Sequence, residues 1–245
     1  MLSILIITIG IVSFICGVIT TAAINPDIFG ENSKFILPIF AATASSLAGA
    51  YFGAKKANDL AMSHLETKED RERKLSLNRA LFVLLRKYNA MKSYKELLLP
   101  LEDDSSRAFK VKPWQTNNYK DLLIDTSSLE FLLEDGEPDI LFRALIEQER
   151  FEQALSAIEI RNKFQVETID PILQEKGIGD CKIPLPVAID KLGEHNFKGL
   201  VQGTDEVYKH VYNTCDSLKA MLRELHTYSK EKYPKVKFVC FTDET

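Results

Sequence analysis

Missing from these 245 residues is any stretch of the form GxxxxGK[ST] or GxGxxG, so no loop is indicated that would cradle a phosphate. Histidine is scarce. His64, His195, His210 and His226 lie far apart without a His-x-x-x-His or Cys-x-x-Cys partner, and a metal site would have to be assembled from distant positions. The four cysteines, Cys16, Cys181, Cys215 and Cys240, show no paired spacing and fit free thiols in a reducing compartment. Cys215 falls on an apolar stripe, which favours a buried thiol over a nucleophile. Acidic pairs such as Asp103-Asp104 and Glu134-Asp135 sit in turn-like stretches, where carboxylates are solvated or cap helices rather than act as general acids and bases. No catalytic, cofactor-binding or metal-ligating residue is therefore assigned, and no small-molecule substrate is indicated.

Charge is what the first 54 residues lack. Leu2 to Ala23 is an uncharged, nearly continuous apolar run, long enough at about 1.5 Å per residue to cross a hydrocarbon core of roughly 30 Å. Phe35 to Ala54 is a second such run, with Pro38 near its start, where a helix tolerates proline. Pro26, Gly30 and Asn32 break the short segment between them. These features predict a transmembrane helical hairpin. Thr21-Ala22-Ala23 resembles a signal-peptide cleavage site, but the basic n-region is absent and a second run follows closely.

Basic residues follow the second run: Lys55, Lys56, Lys68, Arg71, Arg73 and Lys74. The positive-inside tendency then places both the N-terminus and the large C-terminal part in the cytoplasm. Segment 55 to 95 carries 11 Lys and Arg against 5 Asp and Glu, whereas segment 96 to 180 carries 9 against 19. Three readings of the basic stretch stand side by side. It can be a solvated helix face that fixes topology, a contact for anionic lipid headgroups at about 1 kcal/mol per residue, or a contact for nucleic-acid phosphates.

The remainder reads as helices. Leu77, Leu81, Leu84, Leu85, Tyr88 and Met91 mark one face of a long helix that Pro100 stops. Leu122 to Leu133 suggests a short helix or helix pair broken at Asp135-Gly136. Glu137-Pro138-Asp139 opens another helix, whose Leu141, Leu145, Gln148, Phe151, Leu155, Ile158, Asn162 and Gln165 repeat near heptad spacing as far as Pro171. A last long helix starts near Thr204 and carries Val207, Val211, Cys215, Leu218, Leu222 and Leu225. Lys235 to Phe241 alternates like an edge strand, or like a tail that pairs with another chain. The expected fold is thus all-α: a hairpin over 1–54, a basic juxtamembrane helix over 55–99, and a cytosolic helical bundle or coiled-coil-like domain over 100–245.

Small residues line the two runs. Ala41, Ser45, Gly49 and Gly53 recur every fourth residue in the second, and Ser13, Gly17 and Thr21 do so in the first, with Gly10 beside them. Lipid offers helices no hydrophobic drive to associate, so small residues that allow close backbone approach supply the packing contacts. The hairpin can use one such face. The breadth of the small arc in the second run favours a further use in homo-oligomerisation.

AGAYFGAKKA at the exit of the second run, the IDTSSLEFLL segment and the long ALIEQERFEQALSAIEIRNKF helix together resemble the two-span membrane effectors encoded beside retron reverse transcriptases in bacteria. The resemblance implies anti-phage defence by abortive infection. It implies an effector held quiet by the reverse transcriptase and its RNA-linked DNA, and membrane damage on release. The alternative is a passive scaffold or receptor-like coupler that holds a cytosolic partner at the bilayer.

Overall fold

A computed structural model describes residues 33–177 and 185–240, with isolated helical positions at 13, 17, 18, 20, 21 and 24; for residues 33–37, 40 and 185 it describes the backbone alone. The described residues are helical and contain no strand, as an all-α fold requires. Two compact units divide the chain, Met1–Glu69 and Asp70–Thr245.

The first helix, α1, runs from Ser33–Leu98 with Pro38 inside it. Within the first unit every described side chain from Pro38 to Glu69 is exposed except half-buried Ala44. The Thr43 hydroxyl donates to the Ile39 carbonyl at 2.8 Å and the Ser45 hydroxyl to the Ala41 carbonyl at 2.7 Å. These bonds back to the preceding turn satisfy the hydroxyls within the helix itself.

The second unit is a bundle of three long helices. Its first is the part of α1 from Asp70 onward, which ends where Leu99–Leu101 tightens into a 3-10 turn at Pro100. After a short helix α2 (Arg107–Lys110), a 3-10 turn (Ser127–Leu129) and α3 (Phe131–Glu134), the second long helix α4 spans Pro138–Phe164. It continues through a π-helical turn, Gln165–Ile169, into α5 (Asp170–Glu175). Pro171 does not stop the chain as its sequence position suggested, because it stands in the first turn of α5, where a missing N–H costs nothing. Helix α6 (Leu185–Leu192) precedes the third long helix, α7 (Glu194–Lys232).

Pairwise contacts fix the directions. Arg73 of α1 meets Glu134 near one end of the bundle, and the Leu98 carbonyl accepts from the Tyr208 hydroxyl at 2.8 Å near the other. Lys87 lies midway, beside Gln148 and Phe151. Accordingly α1 and α4 run in the same direction and α7 returns between their ends. The core is Leu77, Leu81, Leu84 and Met91 from α1, Ala144, Phe151, Ala154 and Ile158 from α4, and the whole expected stripe of α7. A smaller cluster of Ala108, Ile169, Leu192 and Leu200 closes the end where the short helices meet.

Three expectations need correction. The α4 face is rotated from the heptad reading: Leu145 is exposed, and Glu147 and Arg161 are buried among the apolar side chains. Helix α7 begins ten residues before Thr204, so Gly199 and Gly203 lie inside it. A side chain at Gly199 would stand 3.2 Å from the Phe164 ring, so the absence of a Cβ is what lets α4 and α7 approach there. The strand expected after Pro234 is also absent. Residues 235–240 fold back on their own chain: Phe238 is buried, the Val239 N–H donates to Asn78 Oδ1 at 3.0 Å, and Lys230 donates to the Val236 carbonyl at 2.8 Å. Phe238→Ala is expected to lower unfolding stability by about 3 kcal/mol. Hydrogen exchange should then accelerate at the Val239 amide while α4 amides in the core stay protected, measured on the full chain.

Candidate functional site

The basic stretch and the buried polar layers of the bundle are the features with chemistry to offer. Of the six basic positions singled out, Arg73 and Lys74 are consumed by the fold. Arg73 pairs with Glu134 at 2.6 Å and Asp135 at 3.7 Å, with its guanidinium 5.4 Å from the Phe131 ring centre. Lys74 pairs with Asp70 and lies 5.0 Å from the Tyr233 ring centre. Burial pushes the Asp135 carboxyl up, but its bonds to Lys232 and Tyr228, with Arg73 nearby, outweigh that and hold it below the usual carboxylate range. Arg86 pairs with Asp121 at 2.9 Å and Lys95 with Asp216 at 3.0 Å. Part of the positive charge over 55–95 is thus answered by carboxylates elsewhere in the same chain. Lys55, Lys56 and Arg71 are exposed and remain the positions able to meet lipid or phosphate.

The small-residue positions fall differently. Gly10 lies outside the described residues. Ser13, Gly17, Thr21, Ala41, Ser45, Gly49 and Gly53 are helical and exposed. A Cβ added at Gly17, Gly49 or Gly53 meets nothing within 4 Å. Among the described residues no helix is long and apolar enough to cross a membrane. The expected hairpin therefore finds no support there. Most of the run 2–23, and the side chains of 35–37 and 40 in the second run, lie outside the described residues.

The pattern missed three buried charges. Lys87 is fully buried, bonded to Gln148 Oε1, with its ammonium 5.3 Å from the Phe151 ring centre. Desolvation pushes its pKa down to about 8, against the pull of Glu152 and Glu147. Glu147, also buried, accepts from the Ser217 hydroxyl at 2.6 Å and pairs with Arg150 at 2.8 Å. Lys87, Gln148, Glu147, Arg150 and Ser217 thereby form a polar layer joining all three long helices.

A second layer is built on Arg161, which is 1% exposed. Its Nη2 donates to the carbonyls of Ala108, at 3.1 Å, and Val111, and its Nε to Thr204 Oγ1 at 3.4 Å. Burial pulls its pKa down to about 10, with Asp170 opposing. Beside it, Asn162 donates to the Trp114 carbonyl at 2.7 Å, and the Trp114 ring stacks on Tyr94 at 6.1 Å. Both layers hold backbone and side chains of the chain itself. Cys215 is buried and its thiol is pushed up by desolvation, so it stays a thiol. Among the described residues no group of three His, Cys, Asp or Glu is placed to hold a metal ion.

Only a register reading finer than the apolar repeat could have found Lys87 and Arg161. Each sits one step from residues that were read as core, Tyr88 and Asn162. Comparison with known proteins adds no relative: no family model, curated protein or solved structure matches the chain.

The depressed pKa of Lys87 has a thermodynamic consequence. Between about 8 and 10.5 the unfolded chain holds a proton that the folded chain has lost, so this residue makes stability rise with pH across that window. Relative to Lys87→Met, the parent chain should gain about 3 kcal/mol on going from pH 8 to 10.5. Urea unfolding followed by the fluorescence of Trp114, the sole tryptophan, measures the difference.

Proposed function

We propose that the chain is a membrane-anchored effector of a bacterial anti-phage system, of the kind its likeness to retron-associated two-span proteins suggests. The observation that carries the reading is the α1 stretch 38–54. It is helical and uncharged, its described side chains are exposed except half-buried Ala44, it is rich in small residues, and Lys55 and Lys56 follow at once. Together with the uncharged run 2–23, such a stretch suits a two-span anchor whose helices meet other helices rather than a bundle of their own. Lys55 and Lys56 then stand at headgroup level on the cytoplasmic side, each contributing about 1 kcal/mol toward anionic lipid.

The bundle from Asp70 onward is the binding part. The reading assigns it no reaction. It holds a partner, which the retron likeness makes a reverse transcriptase with its RNA-linked DNA. Loss of that partner frees the spans to assemble, and the inner membrane leaks.

Induction of the chain alone in bacteria is expected to collapse the membrane potential and arrest growth, read with a potential-sensitive dye and by optical density. Gly49→Leu with Gly53→Leu should blunt both effects at equal protein level. Among the described residues a Cβ at either position meets nothing within 4 Å, so a loss there reports a contact made beyond the described part of the chain. Harmless expression that still brings a cytosolic protein to the membrane would replace this reading with that of a passive scaffold.

A further inference from the structure

We propose that the C-terminal strap is a catch on the root of α1: when residues 235–240 lift, α1 unwinds over 70–80 while the bundle from Leu81 onward stays folded. The catch is one cooperative unit built from two segments far apart in sequence. A single helix carries both the exposed stretch of α1 and its packed stretch, so the turns just after Asp70 are where packing has to begin. Those turns have little apolar hold of their own. Arg71 and Glu72 are exposed and Leu75 is 44% accessible, and Ser76 and Leu77 are the first buried side chains of α1 among the described residues.

What holds them comes from the end of the chain and from the corner before α4. Lys74 lies over the Tyr233 ring, and Arg73 reaches Glu134 and Asp135. Asp135 in turn accepts from the Tyr228 hydroxyl at 2.5 Å and pairs with Lys232 in the last turn of α7. One turn further along α1, Asn78 Oδ1 accepts from the Val239 N–H, and Phe238 joins the same core cluster as Leu77. The Phe238 ring also lies 6.4 Å from that of Tyr233, so the strap touches both the polar and the apolar hold on these turns. From Leu81 onward the hold differs in kind: Leu81, Leu84 and Met91 belong to the core shared with α4 and α7, and Lys87 is bonded into its polar layer.

The strap is the weakest member of this arrangement. Residues 235–240 are neither helix nor strand. Their backbone is held by the Val239 bond, by Lys230 on the Val236 carbonyl, and by a turn bond from the Val236 N–H to the Tyr233 carbonyl at 3.0 Å. Against these bonds and one buried ring stands the conformational freedom that six residues regain, so the strap opens at a smaller cost than any long helix of the bundle. Once it lifts, Asn78 loses the Val239 amide and the core around Leu77 loses the Phe238 ring. The two turns before Leu81 are then held chiefly by the pairs of Arg73. The inference does not rest on the effector reading. A chain whose strap and α1 root open together without depolarising cells keeps it and loses that reading, and the reverse outcome does the opposite.

Hydrogen exchange on the full chain tests it. In the parent, the helical amides over 74–80 and the Val239 amide should show protection that agrees within about threefold, at least about tenfold below that of amides over 87–98. Phe238→Ala should speed exchange at both places by one shared factor. Asn78→Ala, which acts from the α1 side, should speed it at Val239 as well as over 74–80. Acceleration at Val239 alone in Phe238→Ala would mean that the strap lifts without α1, and would overturn the proposal. So would amides over 74–80 as protected in the parent as those over 87–98. Phe238→Leu keeps an apolar side chain beneath the strap and should move both places by a smaller shared factor, so the test stands even where the alanine variant fails to fold.

Discussion

Two long helices that run in the same direction, as α1 and α4 do, can be joined only by a connection that travels back along the bundle. That connection, residues 99–137, has little regular structure, and its backbone carbonyls must find donors wherever it touches the core. Arg161 supplies them. From the middle of an apolar face it reaches out to the carbonyls of Ala108 and Val111, while Asn162 takes that of Trp114. The crossing thereby becomes a fixed part of the molecule. Gly203 of α7 packs beside the same side chain, where a Cβ would stand in ordinary contact with Arg161 at 3.5 Å. A buried guanidinium costs several kcal/mol in desolvation, and the fold accepts that cost where the alternative is several unpaired carbonyls.

The charge pattern along the chain takes on a different meaning in this light. A block of positive residues beside apolar runs invites a reading in terms of lipid or nucleic acid. Here the strongly acidic block that follows lies against it, through Arg73 with Glu134 and Asp135, and Arg86 with Asp121. Net charge counted by segment therefore overstates what the surface presents. Lys55, Lys56 and Arg71 form a much smaller feature, suited to setting a boundary rather than gripping a polyanion.

What could be read in advance followed the strength of the periodic signal. The α7 stripe from Val207 to Leu225 was legible residue by residue, because six apolar side chains mark a single face without interruption. The α4 face was not, since Glu147 and Arg161 occupy core positions and pushed the apparent stripe onto Leu145 and Leu155. The start of α7 was hidden because Gly199, where the helix comes close to Phe164, and Gly203 interrupt the apolar stripe before Thr204. The end of the chain misled for a related reason: alternation in Lys235 to Phe241 describes a segment with one buried side, and a strap with one anchoring ring satisfies it as well as a strand does. Arg73 and Lys74 looked alike with Lys55 and Lys56 because their partners lie far away in sequence.

The bond from the Val239 amide to Asn78 joins residues 161 positions apart. At synthesis rates of about 5–20 residues per second, the Asn78 end of α1 waits roughly 8–32 seconds for its partner to be made. For most of that interval the bundle lacks its third helix, and for all of it the strap. The stretch of α1 before Asp70 is made first and depends on neither. Whatever that stretch binds, it can bind while the rest of the protein is still being translated, so the order of assembly is written into the order of the chain.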